Sequence, residues 1–337
     1  TNITEGPISR YGQLAGQAFE GHRADYRQFT FGAQLILWGL FQKMVLADRA
    51  ALLVSTVFGS PSDYSGGVVI LAMLVYTLQI YADFAGCMDI VRGSGALFGI
   101  EITRNFHQPF FSRSIGEFWR RWHMTLGAWF KDYIFYPVTL SKTNMKLGRW
   151  AKKHLSPHLG QVMPTAFALF FVWLANGIWH GAAWKYVAYG MYYYVLTLFG
   201  LLFKPMIFLF YKKTGIQKDS RPWQFFLILR TFILVNIGML LFRADSLPVF
   251  AGMFVSMFRK TTGHWLELGL DVHDLAVLAA GVLLMLVVGI LREEGICIRE
   301  RIASLPIIWR WIIYAGAFCA IVLLGAYGSG YGVVDPL

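Results

Sequence analysis

Two histidines stand in strongly apolar runs. The chain carries eight (His22, His107, His123, His154, His158, His180, His264 and His273), and only His123, in EFWRRWHMTLG, and His180, ending FFVWLANGIWH, have such neighbours. An imidazole in apolar sequence has to be hydrogen-bonded, ligated or catalytic, because burying it unpaired is costly. On a helix, Asn176 and Gly177 lie one turn before His180, and Trp184 lies one turn after it. Asn176 is placed to orient the ring. Gly177 and Gly181 would admit a close substrate, and Trp173, Trp179 and Trp184 would wall a dry pocket. A neutral imidazole there suits removal of a proton from a hydroxyl. The same glycines also read as helix-packing positions, and the histidine as a packing residue with its hydrogen bonds made.

His123 has Gly116 and Gly127 on either side, with Trp119 and Arg120 on its face. It reads either as a polar group lining a passage or as an interfacial histidine beside the snorkelling Arg120 and Arg121. A metal site is not expected at His123 or His180, since neither belongs to an HxxxH or HxxE pair. A Ser-His-Asp triad is not indicated, because there is no GxSxG. Lys43, Asp83 and Asp89 lie inside apolar stretches and read as internal ion pairs or snorkelling groups ahead of a proton relay.

The elements that hold these residues follow from composition. The chain has 337 residues, 56% of them hydrophobic and only 15% charged, with a mean hydropathy of +0.51. A soluble domain carries about 25% charge, so a multi-pass membrane protein is the class that remains. Intrinsic disorder is excluded by the same balance. Three separated cysteines (Cys87, Cys297, Cys319) exclude a disulfide scaffold. The net charge of +11 points to membrane lipid and bilayer orientation, not to nucleic acid.

At about 20 residues per crossing, the apolar runs predict about seven spans. They are Phe31–Val57, Gly67–Phe98, Pro164–Trp179, Trp184–Phe203, Trp223–Leu241, Leu275–Leu291 and Ile307–Tyr327. The second is too long for a straight crossing, and its Gly-rich last part (Gly86, Gly93, Gly95) is expected either to break or to continue into the cytosol-side interface. Ser141–Met163 and Lys204–Pro222 are rich in Lys and Arg and read as cytoplasmic, whereas Phe58–Gly66 has neither and reads as outside. Alternation then places Arg292–Arg301 inside. From Arg113 to Tyr136 an apolar stripe (Ile115, Phe118, Trp122, Trp129, Tyr133) runs beside Arg113, Glu117 and Arg121. That pattern predicts one amphipathic, interfacial or re-entrant helix. Leu247–Phe258 reads as a similar half-helix on the outer side.

The run from Tyr81 to Tyr136, with NFHQPFFSRSIGEFWRRWHMTLGAWFKDYIFY, resembles the membrane-bound O-acyltransferase (MBOAT) family, as do NGIWHG at Asn176–Gly181 and GPISRY at Gly6–Tyr11. It is most similar to the bacterial branch that includes the alginate O-acetyltransferase membrane subunit and the D-alanyl-lipoteichoic acid transferase. The resemblance implies an all-α, polytopic membrane protein with re-entrant pieces around a central tunnel, forming one domain over residues 1–337. His180 matches the family's essential histidine and His123 its second polar position. Asp83, Trp119, Arg120, Arg121 and Asn176 fall in the same motif blocks, and Trp119, Arg120, Arg121 and Asn176 are expected at the donor site. The family's N-terminal spans and aromatic C-terminal tail have no counterpart here, so the sequence is expected to be a piece of a longer protein.

The implied activity is O-acylation of cell-surface polysaccharide in the bacterial plasma (inner) membrane. The acyl group would come from a cytoplasmic thioester, acetyl-CoA, whose phosphates Lys and Arg can hold. No bound cofactor is expected. An extracytoplasmic serine-hydrolase-like acetyltransferase is the expected partner. The rival within the family is D-alanyl transfer to teichoic acid from an acidic acyl carrier protein, which the basic stretch Lys142–Lys153 would suit equally. The rivals from other classes are a transporter, whose repeated halves are not seen here, and a non-enzymatic membrane scaffold.

Overall fold

The apolar runs fold as helices. The computed structural model describes residues 6–19, 21, 25–263 and 267–327. His22 and His264 lie outside the described residues. Among the described residues the one pairing outside helices is a bridge between Ser65 and Thr262. Among the described residues six helices are long and apolar enough to cross a membrane: Tyr26–Gly59, Gly67–Leu97, Pro157–His180, Arg221–Arg243, Val272–Glu293 and Ile307–Leu324. Trp184–Leu202 and Lys204–Thr214, bent by 54° at Phe203, make a seventh if taken as one span. Outward-facing side chains such as Leu283, Ile308, Trp311 and Leu323 are large, apolar and exposed, as lipid-facing positions require. The described residues fall into two compact units, one within Thr1–Gln108 and Ala251–Leu337, the other within Pro109–Phe250.

In the first unit, of the two outcomes expected for Gly86, Gly93 and Gly95, the chain does not break but continues as helix. Gly67–Leu97 is one continuous helix of 31 residues. Its glycines serve packing instead. A Cβ on Gly39 would lie 2.5 Å from the Gly86 carbonyl oxygen, and one on Gly32 would lie 2.7 Å from that of Gly93. The contacts are reciprocal and seven residues apart on both antiparallel helices. Small residues there let two backbones meet, which is how helices gain packing in lipid. That contact offsets the helix-propensity cost of glycine, about 1 kcal/mol each.

Several charges inside the helices of this unit are paired internally. The helix Tyr26–Leu40 passes through a π-helical turn, Phe41–Ala47, into Asp48–Gly59. From that turn Lys43 Nζ reaches Asp48 and Asp83, each at 2.9 Å. Asp89 pairs with Arg92 at 3.0 Å. Arg49, only 4% exposed, donates to Asp274 at 2.9 Å and to the carbonyls of Val45 and Leu324. It therefore ties three helices together. Lys43→Met is expected to destabilise the protein by about 3 kcal/mol, since it leaves two carboxylates facing each other without their cation. A melting curve in detergent checks this, and a further Asp83→Asn exchange should restore part of the loss.

In the second unit the amphipathic segment is not one helix. It forms Ile115–Arg121 and Met124–Phe130, then a π-helical turn Lys131–Phe135 and a last turn Tyr136–Thr139. The break falls at Trp122, which is extended, and His123, which is left-handed at φ 46°. Ser114 caps the first piece by accepting from the Glu117 N–H at 3.2 Å. Glu117 accepts from the Arg113 backbone N–H at 2.9 Å and pairs with the Arg121 side chain at 2.8 Å. Of the expected stripe Ile115, Phe118 and Trp122 are buried, but Trp129 is half-buried and Tyr133 exposed, and Phe130 faces inward in their place, because the helix break shifts the register. The Glu117 carboxylate holds both arginines.

The basic stretch after Ser141 is also helical. Lys142–His154 exposes Lys142, Lys146, Arg149, Lys152 and Lys153 and lays Gly148 against Pro164. The next helix starts at Pro157, seven residues before the expected span. Proline is tolerated in a first turn, and Ser156 caps it by accepting from the Leu159 N–H at 3.1 Å. Pro164 sits inside this helix, and the Asn144 amide donates to its carbonyl at 3.0 Å.

Candidate active site

His180 is the last residue of the 24-residue helix Pro157–His180. Gly181 follows at φ +148°, and a Cβ there would lie 2.8 Å from the Tyr186 ring. Glycine therefore releases the chain into a tight turn that an L side chain would strain. The next helix returns at once as Trp184–Leu202. The two helices meet through glycine: a Cβ on Gly177 would lie 2.5 Å from the Tyr186 carbonyl oxygen, and one on Gly190 would strike that of Trp173. Gly177 is thus a helix-packing position and leaves no room for substrate. The return folds Tyr186 and Tyr189 back over the histidine.

Aromatic rings enclose the imidazole. Its centroid lies 4.7 Å from Trp179, 4.9 Å from Phe242, 5.7 Å from Tyr189 and 6.2 Å from Tyr186. Among the described residues neither ring nitrogen of His180 makes a hydrogen bond, whereas His154 and His158 each bond a backbone carbonyl. Asn176 does not orient the ring as expected. It is buried, but its Oδ1 has no hydrogen-bond partner. One helical turn brings two side chains near each other without fixing a bond between them. Trp184 is 79% exposed and walls nothing.

Trp179 stands between the two histidines. Its ring also lies 5.7 Å from that of His123, which is buried at the helix break. The wall continues through Trp119, whose ring lies 4.8 Å from Tyr193, 5.1 Å from Trp173 and 6.4 Å from Tyr189. Trp119 Nε1 and Trp173 Nε1 are buried with no hydrogen-bond partner among the described residues. With Asn176 Oδ1 they are three orphaned polar atoms around one aromatic cluster. Each such atom costs about 1–3 kcal/mol unless something satisfies it. Arg120 and Arg121 are not part of the cluster in this arrangement. Arg120 is exposed, and Arg121 is held by Glu117.

Sequence reasoning missed three of the rings nearest His180. Tyr186 and Tyr189, with Tyr193, fall at positions 186, 189 and 193, the spacing of one helical face, and that signal was available. Phe242 comes from the end of Arg221–Arg243 and carries no local signal.

The MBOAT, membrane-bound O-acyltransferase family matches residues 4–242. The chain is 32% identical to "Probable alginate O-acetylase AlgI" of Pseudomonas syringae pv. tomato, over 78% of this chain and 45% of that protein. It is 30% identical to the peptidoglycan O-acetyltransferase of Helicobacter pylori, over 56% of this chain and 33% of that protein. It is 29% identical to the teichoic acid D-alanyltransferase of Bacillus subtilis, over 58% of this chain and 47% of that protein. The chain spans about half the length of the alginate O-acetylases it matches. With its membrane-length helices and a match across most of its length, this is a multi-pass membrane protein that belongs to the membrane-bound O-acyltransferase family.

Proposed function

We propose that the protein is an O-acyltransferase of the bacterial inner membrane that moves an acetyl group from acetyl-CoA to a hydroxyl acceptor, for O-acetylation of a cell-surface polysaccharide. One observation carries the chemistry: a half-buried histidine flanked by four aromatic rings, with neither ring nitrogen hydrogen-bonded among the described residues. His180 takes the proton of the acceptor hydroxyl as that oxygen attacks the thioester carbonyl. The carbon–sulfur bond breaks, the thiolate leaves, and the histidine returns the proton to it. The aromatic walls exclude water and so limit hydrolysis of the thioester. The N–H groups of Trp119 and Trp173 are spare donors for the acyl carbonyl oxygen. In this reading His123 lies along the donor's approach, and Arg120 and Arg121 hold the donor outside the aromatic cluster. An extracytoplasmic serine-hydrolase-like acetyltransferase is the proposed partner that passes the group to the polymer. The relatives named as O-acetylases support this reading over D-alanyl transfer.

A second reading has its own support in the exposed cations of Lys142–His154. They form the kind of face that attracts an acidic carrier protein, and a D-alanyltransferase is among the relatives. Membranes containing the full-length protein, given acetyl-CoA or a D-alanyl-loaded carrier protein, separate the two. Transfer from acetyl-CoA alone is expected. Transfer from the D-alanyl carrier alone would replace the first reading with the second.

A further inference from the structure

The first unit holds a cavity of about 240 Å³ whose lining carries four guanidiniums, Arg92, Arg104, Arg292 and Arg299, against one carboxylate, Asp89. Asp89 is already paired with Arg92. No carboxylate among the described residues pairs with the other three. Arg104 donates to the Phe106 carbonyl at 2.6 Å. Arg292 lies over the Trp38 ring at 5.5 Å, and Arg299 lies over Phe31 at 5.2 Å. Aromatic stacking of this kind fixes a planar guanidinium and leaves its edge free to bind. Burial, and then the neighbouring Arg292 and Arg92, lower the pKa of Arg104, and burial lowers that of Arg299.

Three half-buried cations share the field of one carboxylate, Asp89, which is itself taken by Arg92. Such an excess of positive charge is costly to assemble, so the arrangement calls for a further anion. A second observation points the same way. Gln42 lines the cavity at 2% exposure, and its Oε1 has no hydrogen-bond partner among the described residues. An anion carrying a neighbouring hydroxyl answers both needs. The volume is below that of a drug-sized ligand site, about 300–1,000 Å³, and suits one phosphate with a small polar attachment. The turn Phe58–Gly66, at the other end of Gly67–Leu97, has no Lys or Arg and reads as outside, so this end of the unit reads as cytoplasmic.

We propose that this cavity is a binding site for a phosphate-bearing group, gripped by Arg104, Arg292 and Arg299, with Gln42 accepting from an adjacent hydroxyl. Arg–phosphate forks are the strong, directional form of such contacts. The site rests on the first unit alone and does not depend on the acyl-transfer reading. Two sources share the chemistry, an anionic phospholipid headgroup and a soluble phosphorylated compound.

The test uses the full-length protein purified in a neutral detergent. Retention of phosphatidylglycerol is followed by native mass spectrometry, and binding of coenzyme A by calorimetry. Exchange of both Arg104→Gln and Arg299→Gln is expected to weaken the bound probe by about tenfold or more. Arg104→Lys, which keeps the charge and loses the fork, should weaken it less and guards against a variant that fails to fold. Phosphatidylglycerol retained by the wild type and lost by the double variant supports the site and assigns it to lipid. The same pattern with coenzyme A supports the site and assigns it to a soluble ligand. Binding of neither probe, or binding unchanged in a folded double variant, overturns the proposal.

Discussion

Acyl transfer by the His180→Ala protein is expected to fall by about 10²–10⁴-fold in turnover, the contribution of a positioned general base. The loss should appear in kcat more than in KM, because the proton moves in the transition state and not on substrate binding. Folding should survive. His180 ends its helix, alanine is the best helix former, and the turn at Gly181 does not use the imidazole. Membrane level and melting temperature should therefore stay close to wild type. His180→Gln, which keeps a polar group of similar reach, should be equally inactive. Activity within a few fold of wild type in either variant would remove His180 from the mechanism.

The second large effect concerns the fold that carries the chemistry. Gly39→Leu is expected to destabilise the protein by about 3 kcal/mol or more, at the upper end of overpacking. A Cβ at Gly39 already lies 2.5 Å from the Gly86 carbonyl oxygen and 2.7 Å from Ile90 Cγ1. The backbone oxygen cannot rotate away, so the helices would have to part. Parting them would also strain the Gly32 and Gly93 contact, one step along the same seam. Gly200→Ala is the matched control, since a Cβ there meets nothing within 4 Å and gains about 1 kcal/mol of helix propensity. Thermal unfolding in detergent should show Gly39→Leu melting far earlier and Gly200→Ala at or above wild type. Similar curves for the two would contradict the packing account.

The spans were legible because hydropathy over a crossing length is a long, redundant signal, and the second half-helix, Leu247–Ser256, was legible for the same reason. What misled was local reading of glycine. Gly86 and Gly93 read as a weak point along one helix, whereas their role depends on Gly39 and Gly32 in another. The matched spacing of seven in both runs was the available clue. The break at His123 had no such clue, since a histidine in the left-handed region is set by its surroundings and not by a Gly or Pro signal.

At the site, His180 stood out by its apolar neighbours, but its enclosure could not be read along the chain. Phe242 reaches it from a helix more than fifty residues away in sequence. The arginine cavity was illegible for the same reason. Arg92 and Arg104 belong to one stretch and Arg292 and Arg299 to another, and the second stretch, Arg292–Arg301, is charge-neutral, with three Arg and three Glu, and carries no signal of its own.

The most direct test of the account is the ester-linked acetyl content of the cell-surface polysaccharide in the native bacterium. Deleting the gene should remove that acetyl. The full-length wild-type gene should restore it, and a His180→Ala gene giving the same membrane level should not. Acetyl content unchanged by the deletion, or restored by the His180→Ala gene, would contradict the account.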